Sequence, residues 1–188
     1  TKDMGQKNYF ATFENRSGVR EGYMLMTDAP SRPGLMTMLN VDKRLCSGQK
    51  MFCSAWIGNL NSNRRTYPSY ANPSLKFEIR GRYTGEREWH GVTEFMTGEI
   101  PRNNTIDKDG YEQGTWYQVN FEIDLTKDYD HYQIAVYDFA PTGMGNDFVL
   151  DDIVIYANEV PLDAYQASTD CSATSVKAIV RMDYEASK

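Results

Sequence analysis

The chain has 188 residues, 40% hydrophobic and 24% charged, with a net charge of -6 and a pI near 5.0. These values describe one ordinary globular domain, neither disordered nor membrane-embedded, and no run of about 18 apolar residues offers a spanning helix. No basic stripe exists to neutralise phosphates, since Arg64 and Arg65 are only a local pair, so a nucleic-acid partner is excluded. Thirteen Tyr, eight Phe and three Trp exceed what a core of this size requires, and surplus amphipathic rings are common on binding surfaces and in β-rich extracellular domains. The chain opens at Thr1 without Met and without a signal peptide, so it reads as a mature or excised fragment.

Lys7 to Asn15 reads as a first strand that ends in Phe13-Glu14. Gly22 to Asp28 is a short buried strand, punctuated by Pro30, Pro33 and Gly34, and Leu35 to Val41 is the next. Met51 to Gly58 has two distinct faces: Met51, Cys53, Ala55 and Ile57 lie on one, and Phe52, Ser54 and Trp56 on the other. Asn59 to Ser74 has no periodicity and reads as a long loop, of the kind that carries function or moves. Leu75 to Arg82 alternates, sending Leu75, Phe77 and Ile79 inward and Lys76, Glu78 and Arg80 outward. Tyr83 to Glu99 reads as a hairpin around Thr84-Gly85-Glu86 with Trp89 and His90 near its centre, and Pro101 to Gly114 as a polar loop. Trp116 to Leu125 and Tyr132 to Tyr137 alternate again, with Gln118, Asn120, Glu122, Gln133 and Tyr137 outward. No segment has a 3.6-residue period, and strands recur at sandwich spacing. The expected fold is therefore an all-β jelly-roll sandwich of two antiparallel sheets over residues 1–157. Residues 158–170 read as a linker, and 171–188 as one more strand or the start of a following domain.

Gly145 to Tyr156 stands apart because it places Asp151 and Asp152 in the middle of an apolar strand, where Asp is disfavoured. If Ile153 and Ile155 face the core, the period of two sends Asp151 inward and Asp152 outward. An inward carboxylate needs a partner, either backbone amides or a hard cation such as Ca2+ with Glu14 as a further oxygen ligand.

The outward side chains Ser54, Trp56, Lys76, Glu78, Arg80, Gln118, Asn120, Glu122, Gln133 and Tyr137 would share one surface if their strands were neighbours. Flat rings for sugar C–H faces, with amides, carboxylates and cations for hydroxyls, suit a glycan ligand. The plainer alternative is the wet face of any antiparallel sheet. Trp89 with His90, and Tyr67 with Tyr70, would clamp a ligand or cover a sandwich end. Catalysis has little support: there are two histidines and no hydrolase or metalloprotease motif, and Glu78 with Glu122 is the only carboxylate pair worth weighing. Asp107-Lys108-Asp109-Gly110 lacks the remaining ligands of a calcium loop and reads as a turn.

Gly22-Tyr-Met-Leu-Met, Leu45-Cys-Ser-Gly leading to Phe52-Cys-Ser-Ala-Trp-Ile, and Gly145-Asn-Asp-Phe-Val-Leu-Asp-Asp-Ile together resemble the galactose-binding-like jelly-roll modules of Bacteroides-type cell-surface proteins. That group contains many carbohydrate-binding modules. The resemblance implies a β-sandwich at a secreted or outer-surface location, in a group whose members include glycan binders. With the polar face and the lack of catalytic motifs, the expected function is a non-catalytic glycan-binding module of a larger secreted or surface protein, contacting neighbouring domains of the same polypeptide, with an adhesin or spacer as the alternative. The resemblance also implies a structural calcium ion held between Glu14 and Asp151 or Asp152. The ligand contacts expected from the outward faces and the loop aromatics are Trp56, Trp89, Lys76, Glu78, Arg80, Gln118, Asn120, Glu122 and Tyr137. Cys53 departs from the group's pattern, where an aromatic is usual, and reads as a buried free thiol. Cys46 would then pair with Cys171, an arrangement that an oxidising compartment permits, and Cys46 with Cys53 is the rival.

Overall fold

The structure of the protein, a computed structural model, describes residues 10–16, 22–41, 45–63, 70–140 and 144–157, and the backbone of 176–179. Its strands are β1 (Leu25–Thr27), β2 (Gly34–Val41), β3 (Lys50–Asn59), β4 (Ser74–Arg82), β5 (His90–Glu99), β6 (Thr105–Ile106), β7 (Glu112–Gln113), β8 (Trp116–Asp124), β9 (His131–Asp138), β10 (Phe148–Ala157) and β11 (Val176–Ile179). One sheet runs β1-β10-β3-β8 and the other β2-β9-β4-β5, and every strand pairing in both is antiparallel. The chain crosses from one sheet to the other between β1 and β2, β2 and β3, β3 and β4, β5 and β8, β8 and β9, and β9 and β10, which makes the fold a jelly-roll sandwich. No helix is present among the described residues.

The alternating patterns explain the packing. Met51, Cys53, Ala55 and Ile57 of β3 meet Leu75, Phe77 and Ile79 of β4, with Tyr132, Ile134 and Val136 of β9 and Leu150, Ile153 and Ile155 of β10, in one core. The expected hairpin turn at Thr84-Gly85 joins β4 to β5, so β5 pairs with β4 and not within its own segment. The polar loop 101–114 contains the small β6–β7 hairpin. Residues 10–16 form no full strand; Phe10 and Thr12 make isolated bridges to Asn61 and Gln113. They seat a second small core in which Phe13 meets Trp116 edge-on, with ring centroids 4.9 Å apart. β11 pairs with Val154–Ala157 of β10, so this late strand extends the first sheet. The expected linker 158–170 lies outside the described residues. Cys46 is disulfide-bonded and Cys53 is a free, buried thiol whose pKa burial pushes up to about 12, which removes the rival pairing of the two. Cys171 lies outside the described residues.

Candidate functional site

The sheet orders divide the expected ligand set. Trp56 on β3 and Gln118, Asn120 and Glu122 on β8 face outward from the first sheet. Lys76, Glu78 and Arg80 on β4 and Tyr137 on β9 face outward from the second. The expectation of one shared surface is therefore corrected: the core lies between the two groups. The same separation puts Glu78 and Glu122 on opposite outer faces, so they cannot flank one glycosidic bond.

On the first sheet, Trp56 is not an open platform. The Arg16 guanidinium lies 3.7 Å from its ring centroid, and the Arg16 amide donates to Asp151 Oδ2 at 2.8 Å. Gln118, Asn120 and Glu122 project from the edge strand into solvent, where Glu122 is ion-paired with Lys50. The Trp56 ring already carries a cation, and the other rings on this face are Phe52, opposite Glu122, and Tyr156, which is 43% exposed and opposite Phe52.

On the second sheet, a row of side chains crosses all four strands: Leu35 of β2, Tyr137 of β9, Lys76 of β4 and Met96 of β5. The next row on this face holds Met38, Ala135, Glu78 and Glu94, and the third Asn40, Gln133, Arg80 and Gly91. Exposure rises from the middle strands to the outer ones. Ala135 is 0% and Gln133 7% exposed, although both point outward, whereas Met38 is 51% exposed and Leu35, Glu94 and Met96 also stand clear. The face thus has a covered, mostly polar middle and exposed, partly apolar edges, and this strip is termed the trough. On the floor, Arg80 donates to Glu78 at 2.8 Å and Lys76 to Glu94 at 3.3 Å. Lys76 Nζ lies 4.8 Å from the Tyr137 ring centroid and 5.7 Å from that of Phe139, and Arg80 approaches Tyr137 to 5.5 Å. Phe139 is 48% exposed. At the far end Arg82 lies over the Trp89 ring at 4.7 Å, so Trp89 belongs to this trough.

Sequence reading missed Phe139, Leu35, Met38, Met96 and Glu94. Phe139 continues the outward period of Tyr137 by one step, a signal that was present; the rim residues needed the strand order. His90 is held by Glu86 at 3.0 Å and packs parallel to Tyr129. Tyr67 lies outside the described residues. Tyr70 bridges to Met144, and its ring sits against Gly145.

The carboxylates of β10 also differ from the expectation. Asp151 pairs with Trp56, and a bulge between Asp151 and Val154 shifts the register, so Ile153 and Ile155 are buried while Asp151 lies on the Trp56 side. The period of two fails here because a bulge adds a residue. Asp151 is still buried, under the 14–16 segment, and its oxygens accept the amides of Arg16 and Asp152, both at 2.8 Å. Asp152 is exposed at φ 46, and its pKa is raised by burial and then by the Asp151 charge, with Arg16 opposing. Glu14 is exposed, and its main-chain carbonyl accepts Trp116 Nε1 at 3.1 Å. Among the described residues, no three His, Cys, Asp or Glu side chains are grouped to hold a metal ion.

No protein-family model matches the chain, and no curated protein does. Solved structures with a similar fold include a Family 16 Carbohydrate Binding Module-2, at 9% identity and TM-score 0.40, covering 75% of this chain and 82% of that one. Another is the EclA C-terminal domain, a sugar-binding protein, at 13% identity and TM-score 0.37, covering 76% and 89%. A third is the CBM22-1–GH10 modules of the Clostridium thermocellum N-terminal endo-1,4-beta-D-xylanase 10B complexed with xylohexaose, at 14% identity and TM-score 0.33, covering 86% of this chain and 30% of that one. These similarities concern fold alone.

Proposed function

We propose that the protein is a non-catalytic module that binds a glycan in the trough on the outer face of the second sheet. One observation carries this reading: exposed apolar side chains and hydroxyl-binding groups share that face. Leu35, Met38, Met96 and Phe139 stand exposed around a floor of Lys76, Glu78, Arg80 and Tyr137. Exposed apolar groups gathered on one face mark an interaction surface, and the interleaved cations, carboxylates and amides supply both donors and acceptors for sugar hydroxyls. A protein ligand, as in an adhesin or spacer, is the second reading, favoured by the Leu35–Met38 rim. A glycan array decides between them. Binding is expected to fall at least ~10-fold, about 1.4 kcal/mol, in Tyr137→Ala and to be unchanged in Trp56→Ala, each with its unfolding midpoint checked; no bound glycan would sink the reading.

The Cys46 disulfide favours an oxidising compartment, and the module is proposed to work outside the cell as part of a larger surface protein. A structural calcium ion at Asp151 belongs to the same proposal. The motive is a buried carboxylate whose partners among the described residues are main-chain amides, next to a second carboxylate it repels. Main-chain oxygens would have to complete its shell.

A further inference from the structure

The Arg82 end of the trough has two unmatched groups of opposite kind. Arg82 Nε and Gln133 Oε1 are buried polar atoms without a hydrogen-bond partner among the described residues. Both residues sit on the outward face, one row apart, because Gln133 pairs with Arg80 and His131 with Arg82. Gln133 is fixed from its other side: its Nε2 donates to Asn40 Oδ1 at 3.1 Å, which turns Oε1 away from Asn40. Arg82 is covered by Trp89, which follows a turn whose residues 83–88 are all exposed. A buried donor or acceptor left unpaired keeps its full desolvation penalty, so the covered arrangement favours whatever can supply both partners.

We propose that Arg82 Nε and Gln133 Oε1 form a hydroxyl-recognising subsite, uncovered when Trp89 moves aside, and that it selects a neutral sugar over a charged one. This inference rests on the glycan reading of the trough. A hydroxyl accepts from Nε–H through oxygen and donates its own proton to Oε1, so it satisfies both atoms at once. A carboxylate or sulfate accepts from Arg82 but meets Gln133 oxygen against oxygen; an ammonium group does the reverse. Leaving a buried group unpaired is the strongest form of rejection a binding site has.

The test titrates the whole chain with neutral hexose and pentose oligosaccharides and with galacturonic-acid oligomers, following tryptophan fluorescence and heat. The expected result is that a neutral oligosaccharide binds at least ~10-fold more tightly than the acidic oligomers and changes a fluorescence signal that disappears in Trp89→Phe. Arg82→Lys keeps the charge and removes Nε–H, and is expected to weaken neutral binding ~10-fold. Gln133→Met should do the same if its unfolding midpoint is preserved. Neutral binding that is unaffected by Arg82→Lys, or equal affinity for acidic oligomers, overturns the subsite while leaving the trough reading intact. No binding by any oligosaccharide overturns both.

Discussion

Asp152 shows how one residue's backbone and charge combine. It occupies the left-handed region at φ 46, where Asn is better accommodated than most side chains, and its proton affinity is raised by burial and by Asp151. A carboxylate whose folded pKa is raised favours folding below its unfolded pKa of about 3.9, and that contribution is lost as the pH rises through the folded value. Asp152→Asn removes the repulsion and keeps the φ preference. With chelator present, the variant is expected to melt higher than wild type at neutral pH, by a gap that closes below about pH 4. A gap constant with pH would mean that the repulsion contributes nothing. The Asp pair was conspicuous in the sequence, yet its geometry was not legible there. Parity along a strand assumes an unbroken ladder, and only the partner β3 shows the bulge.

Elements dock where two glycines leave room for one ring. A Cβ at Gly58 of β3 would lie 2.2 Å from Cε1 of the Phe13 ring and 2.8 Å from Val149 Cγ2, and one at Gly114 would strike the same ring. Phe13 thus anchors the 10–16 segment between β3 and the start of β8, and that segment in turn delivers Arg16 onto Trp56 and Asp151. Gly58→Ala is expected to cost about 1–3 kcal/mol in denaturant unfolding, because overpacked rings must shift. Gly91→Ala on the trough face is the contrast: its Cβ would meet only Glu78 Oε1, at 3.8 Å, so stability should change little. Equal losses at the two sites would refute the close-approach argument. Trp56 illustrates what element-level reading could and could not find. Its outward direction was correctly expected from alternation, but its cover of Arg16, forty positions away in sequence, was not visible there.

Across the whole molecule, the N-terminal segment, β10 and the late strand β11 all converge on the first sheet, while the trough occupies the other. A calcium ion at Asp151 would therefore act on stability and not on ligand contacts. Chelation is expected to lower the unfolding midpoint and leave the affinity of the folded protein for glycan unchanged; an identical midpoint with and without chelator removes the ion from the proposal. The sequence by itself determined the all-β class, the strands β2, β3, β4, β8, β9 and β10 to within a few residues, and the inward or outward sense of most side chains on them. Those properties are local, since a period of two and flanking turn residues are enough to specify them. Only the tertiary structure decided which outward faces belong together. Strand order in a jelly roll sends β3 and β4 to opposite sheets, so Trp56 and Lys76, both on the outward faces of their strands, end on opposite sides of the core.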